Sequence, residues 1–133
     1  ILLMHGDSLC TRDEEYIRAR NRLRQPVVQE ELLAKPLNER AAIARDARNQ
    51  SKEHTHDTAA DIMDVTSDEV TRVMAENDVH LLIHGHTHRP GVHDLLIEGS
   101  HARRIVLGDW GESGWYLKLD GKSQDLVSFE IGS

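Results

Sequence analysis

The sequence predicts a mixed α/β domain, layered and ending in antiparallel strand pairs. Three observations predict it. Short apolar runs of strand length recur between glycines and turn residues. A long polar stretch free of Gly, from 37 to about 58, has helical composition. Two of the apolar runs end in the same dipeptide, His-Gly, at His5-Gly6 and His84-Gly85. A helix followed by a strand and then a series of strands is the order expected of layered α/β architecture.

Taken in order, Ile1-Leu2-Leu3-Met4 reads as a strand buried on both faces and running into a loop at His5-Gly6-Asp7. Such a strand needs neighbours on both sides, so residue 1 is expected in the middle of a larger sheet, whose remainder would lie in an N-terminal portion or on another chain. Thr11-x-x-Glu14 has the form of a capping box opening an Arg-rich helix that ends before Pro26. Val27, Val28, Leu32 and Leu33 suggest a short second helix stopped by Pro36, and the third helix follows. Residues 13–62 thus form a polar, helical block with few large apolar residues, which reads as an appended lid on a core made of 1–12 and 63–133. A second capping box, Thr66-x-x-Glu69, starts a helix carrying Val70, Val73 and Met74, with Asn77 as its stop. Strands are expected at Val79–Ile83, Val92–Ile97, Arg104–Leu107, Trp115–Leu119 and Leu126–Ile131, with Asp120-Gly121 as a hairpin turn.

Composition narrows the function. Sixteen Lys and Arg against 23 Asp and Glu give a net charge of −7 in 133 residues, which argues against a nucleic-acid backbone binder. One cysteine, Cys10, excludes an internal disulfide framework and is read as a small buried residue rather than a nucleophile. No apolar run reaches the roughly 18 residues of a membrane span.

The chemistry concentrates in His84-Gly85-His86-Thr87-His88, directly after the apolar Leu81-Leu82-Ile83. Open α/β sheets build their sites at the carboxyl ends of strands. If the backbone stays extended, residues i and i+2 point the same way, so His86 and His88 present two imidazoles to one place. Neutral imidazole suits Zn, Mn, Fe, Co or Ni. No cysteine stands nearby to make a thiolate zinc site. His5 repeats the pattern, and two His-Gly strand ends lying side by side would make it a third ligand. Asp7 reads equally as a partner orienting a ligating imidazole or as a loop cap. His54, His56, His80, His93 and His101 lack a strand-end context and are read as exposed or packed, and Trp110 and Trp115 as packing residues. Arg89 reads as a phosphate contact or a salt-bridge partner.

On these residues the chain resembles the C-terminal part of the calcineurin-like metallophosphoesterases. That family's motifs run Asp-x-His, Gly-Asp, Gly-Asn-x-Asp, a strand-end His and Gly-His-x-His. His5 and Gly85-His86-Thr87-His88 match the last two, and the first three are absent. A narrower similarity covers nearly the whole chain. Leu2-Leu3-Met4-His5-Gly6-Asp7-Ser8-Leu9-Cys10-Thr11, Ile62-Met63-Asp64-Val65-Thr66, Ile83 through Pro90 and Val106-Leu107-Gly108-Asp109-Trp110 resemble the diphosphatases of bacterial lipid A synthesis.

That resemblance implies a four-layer β-sandwich with a helical lid insertion. It implies hydrolysis of the pyrophosphate of UDP-2,3-diacylglucosamine to 2,3-diacylglucosamine 1-phosphate and UMP by a water activated at two divalent ions, most often Mn2+. His5 and His86 would bind one ion and His88 the other, with His86 also the catalytic residue beside the phosphate. Asp13, Tyr16, Arg48, Ser51 and Thr55 would contact substrate. Thr58 stands where family members carry lysine. The lipid substrate implies a cytoplasmic protein in peripheral contact with the inner face of the inner membrane, and Arg18, Arg20, Arg22 and Arg24 form a basic stretch that could face anionic lipid or pair along the helix with Glu14 and Glu15. With about four family ligands absent, the 133 residues alone are expected not to turn over substrate. The alternatives are a metallophosphoesterase for another phosphate ester or nucleotide, and a non-catalytic remnant.

Overall fold

A computed structural model describes residues 1–133 apart from 60, 122 and 133 and apart from the side chains of Lys52, Thr55 and Asp57. The fold is mixed α/β, in two compact units: Ile1–Leu9 with Val65–Ser133, and Cys10–Asp64.

The first unit is built on a four-stranded sheet in the order β1-β2-β4-β3, from β1 (Leu2–Met4), β2 (Leu81–His84), β3 (Gly91–Ile97) and β4 (Ser100–Val106). β1, β2 and β4 run parallel, and β3 returns antiparallel to β4 through Glu98-Gly99. Both turn residues have positive φ, 50° and 82°, as a two-residue type I′ hairpin requires. β5 (Ser113–Leu119) and β6 (Gln124–Glu130) form a separate antiparallel ribbon around Gly121, φ +83°. Every residue of β2 is buried, which is why this central parallel strand reads as an unbroken apolar run. On one sheet face Leu81, Ile83 and Ile105 pack with Leu107 and with Leu117 and Leu126 of the ribbon. By register, the other face carries Leu82, Arg104, His84 and Val106.

A helix over Ser67–Glu76 contributes Val70 and Met74 to the core. It starts at Thr66 and stops at Asn77 as expected, but the capping box does not close: Thr66 makes no side-chain cap bond, and Glu69 turns to Arg72 instead, at 2.7 and 2.8 Å. Val79 still donates to Met74 O, so β2 begins two residues later than the apolar pattern suggests. β4 begins earlier than expected because pairing with β3 carries the polar Ser100 and His101 into the strand. β1 is not buried on both faces. It is one of the two edge strands of this sheet among the described residues, and Leu3 is 71 % exposed.

The second unit holds three helices, Glu14–Leu23, Pro26–Ala34 and Leu37–Asp57. Pro26 opens the second helix, where a missing N–H costs nothing. The first helix is capped not by Thr11 but by Asp13, which accepts from Tyr16 N at 3.0 Å. The first two helices bury no residue, and Leu23, Val27, Leu33, Leu37 and Ile43 are exposed.

Candidate metal centre

The parallel register sets Met4 beside His84, so the chains leave β1 and β2 abreast. Gly85 N donates to His5 O at 3.1 Å, locking the two His-Gly ends together as the sequence suggested. Past Gly85 the backbone does not stay extended. His86 and His88 have φ of 70° and 52°, and Thr87 N donates to Gly85 O at 2.9 Å. The i, i+2 alternation assumed for the two imidazoles therefore does not apply. A left-handed conformation costs a non-glycine residue about 1–3 kcal/mol and clusters at functional sites.

The turn directs the two rings differently. His86 packs against His5 in a tilted ring contact, with centroids 4.9 Å apart and planes inclined by 56°. His88 Nδ1 lies 3.7 Å from Asp109 Oδ2, both side chains exposed. His5 Nδ1 lies 3.3 Å from Oδ1 of the buried Asp7, the position of a partner that directs the other ring nitrogen outward. Asp109 follows β4 as His5 follows β1, so all three parallel strand ends supply a chemical group. Sequence reasoning passed over Asp109, although Val106-Leu107-Gly108-Asp109 has the same form of apolar run, Gly and polar residue.

His84 faces inward. Its ring is 1 % exposed, with Nδ1 2.9 Å from Gly85 O and Nε2 3.2 Å from Arg104 Nη1. Gly6, at φ +100°, packs against it so closely that a Cβ there would lie 2.6 Å from Nδ1.

The donor chemistry fits an imidazole-binding divalent metal in part. His5 and His86 offer two neighbouring nitrogen ligands on a rigid strand-end frame. Among the described residues no group of three His, Cys, Asp or Glu side chains could hold an ion. Thr87 Oγ1, between the two later histidines in sequence, is buried with no hydrogen-bond partner. The residues thus supply part of a ligand set and do not complete one.

In the second unit, of the residues expected to touch substrate, Asp13 and Tyr16 are joined by the helix cap, Tyr16 N donating to Asp13 Oδ1 at 3.0 Å. Asp13 is buried and occupied: besides capping its helix, both carboxylate oxygens lie 3.0 Å from His54 Nε2. His54 Nδ1 is 3.5 Å from Glu15 Oε2, and Thr58 Oγ1 lies 3.4 Å from both ring nitrogens. Sequence reasoning set His54 aside as exposed or packed. It is half-buried and tied to Asp13, and nothing in its sequence neighbourhood signals a partner 41 residues away. Tyr16 is half-buried, Arg48 and Ser51 are exposed on the third helix, and the side chain of Thr55 lies outside the described residues.

No family model matches the chain. It is similar to curated proteins named UDP-2,3-diacylglucosamine hydrolase. It is 52 % identical over 131 residues to that of Azotobacter vinelandii, and 53 % identical over 131 residues to those of Pseudomonas syringae pv. syringae and Stutzerimonas stutzeri. Each match covers 98 % of this chain but only 53–55 % of the relative. The chain spans about half the length of the curated relatives it matches.

Proposed function

We propose that this chain, similar to the C-terminal part of the UDP-2,3-diacylglucosamine hydrolases, is the metal-binding and lid portion of such a hydrolase and acts in lipid A synthesis. The paired strand ends carry the reading: His5 and His86 in ring contact on adjacent parallel strands, at the sheet edge where α/β proteins place ligands. His5 and His86 hold one divalent ion and His88 the other, most often Mn2+, and the remaining ligands come from the half of the relatives that this chain does not match. The core then completes as a four-layer sandwich.

When bound, the two ions supply positive charge against the anhydride oxygens and make water a stronger nucleophile at neutral pH. The chain's own residues do the rest. Asp7 orients His5, Asp109 orients His88, and the left-handed turn holds His86 against His5 so that it faces the phosphate. Water attacks one phosphorus, the bridging P–O bond breaks, and UMP and 2,3-diacylglucosamine 1-phosphate leave. Asp13, Tyr16, Arg48, Ser51 and Thr55 contact the glucosamine phosphate. The helical unit serves as the lid over an acylated sugar. Its exposed Leu23, Val27, Leu33, Leu37 and Ile43 support a lipid over a plain nucleotide, since solvated helices carry few large apolar side chains without a partner. No described helix is long and apolar enough to cross a membrane, and the proposed contact with the cytoplasmic face is peripheral.

The test is UMP release from UDP-2,3-diacylglucosamine with Mn2+. The chain alone releases none. Joined to the unmatched half of the Azotobacter vinelandii relative it turns over, and His86→Ala lowers the rate by orders of magnitude. Turnover by the chain alone, or a His86→Ala hybrid near full rate, contradicts the assignment.

A further inference from the structure

His84 is the one histidine of the cluster with no role in the reading above, and it is the best buried. Its surroundings fix its protonation. Nε2 faces a guanidinium nitrogen of Arg104, which can only donate, so Nε2 must be the bare acceptor. Nδ1 faces the Gly85 carbonyl, which can only accept, so Nδ1 carries the hydrogen. Both ring nitrogens are thus satisfied by a single neutral form. The same ring touches the other loop: the space a Cβ on Gly6 would need is filled by His84 Nδ1 at 2.6 Å and Cγ at 3.1 Å. Gly6 separates His5 from Asp7, and Gly85 precedes His86. One imidazole therefore lies under both loops that carry the paired rings, anchored from β4 by Arg104.

We propose that His84 is a positioning residue: its buried imidazole, held between Gly85 O, Arg104 and the Gly6 backbone, is the strut that sets the Gly6 and Gly85 loops at the separation that brings His5 and His86 into contact. The ring works through its neighbours and touches neither metal nor substrate. Its consequence for metal affinity rests on the metal-centre reading, whereas its ring state does not.

Two measurements test it on the full chain. Long-range 1H–15N correlation at neutral pH reads the His84 ring, with Nδ1 expected to be protonated and Nε2 bare. The opposite tautomer overturns the proposal whether or not any variant folds. Calorimetric titration with Zn2+ then compares wild type with His84→Leu, which fills the space without a donor, and His84→Asn, which restores a donor near the Nδ1 position. The Leu variant is expected to bind about 10-fold or more weaker, the range seen when groups supporting metal ligands are removed, and the Asn variant to recover most of the loss. A Leu variant that binds as wild type, or Asn and Leu variants that bind alike, overturns it. If wild type binds no Zn2+, the ring tautomer together with the His5–His86 ring contact in the Leu variant decides the role of His84.

Discussion

Replacing Gly6 with alanine separates two costs that the structure puts at one position. The backbone there has φ +100°, where a Cβ is strained, a cost of about 1–2 kcal/mol for an L-residue in left-handed territory. The new Cβ also meets His84 Nδ1 at 2.6 Å and Gly85 O at 3.1 Å, so the imidazole or the turn must move, and overpacking of this kind costs about 1–3 kcal/mol more. Together Gly6→Ala should lose about 2–5 kcal/mol, a large part of the 5–15 kcal/mol typical of a domain. Gly99 provides the control: its φ is +82°, yet nothing lies within 4 Å of an added Cβ, so Gly99→Ala should lose only the conformational part, about 1–2 kcal/mol. Urea unfolding followed by tryptophan fluorescence measures both. Equal losses in the two variants would refute the packing of His84 beneath the Gly6 loop, and with it the steric reason for a glycine between His5 and Asp7.

Asp13→Ala should destabilise the helical unit by about 1–3 kcal/mol, because it removes the cap on Tyr16 N and the buried one of the two carboxylates beside His54. Asp13→Asn keeps a cap acceptor and should lose less, and helical circular dichroism on heating ranks the three proteins. Arg103 beside Asp94 holds that carboxyl below its ordinary value of 3.8. The folded value lies under the unfolded one, so this small, solvent-screened contribution is complete above about pH 3.8 and disappears as the pH falls through the depressed value. Asp94→Asn should therefore be slightly less stable than wild type above about pH 5, where the carboxyl is ionised in both states, and should converge with wild type as the pH falls, which flattens the acid limb. An unchanged acid limb contradicts the pairing.

The sequence made the strand ends legible and hid the turn that follows them. Leu81-Leu82-Ile83 announces a central parallel strand because both of its faces are buried, and the repeated His-Gly foretells that β1 and β2 end abreast. The paths of His86 and His88 were not legible, since left-handed φ is uncommon at a non-glycine residue and no residue type in His86-Thr87-His88 calls for it. The inward face of His84 depends on register with Arg104, 20 residues later, and the Asp13–His54 pair on contact across 41 residues. The cap falls to Asp13, for which a capping position was the plainer reading, rather than to Thr11: Thr11-x-x-Glu14 satisfied a pattern, but Asp13 lies immediately before the first helical residue. The apolar run of β1 predicts burial on both faces by neighbours, and in this chain Leu3 is exposed on its face of the sheet.

The central claim is that His5, His86 and His88 grip divalent metal. With the chain labelled with 15N at histidine, trace Mn2+ broadens ring signals according to their distance from the bound ion. His5, His86 and His88 are expected to broaden first, while His80, His93 and His101 stay sharp. Broadening that begins at those three, or that spreads evenly over all nine histidines, would contradict it.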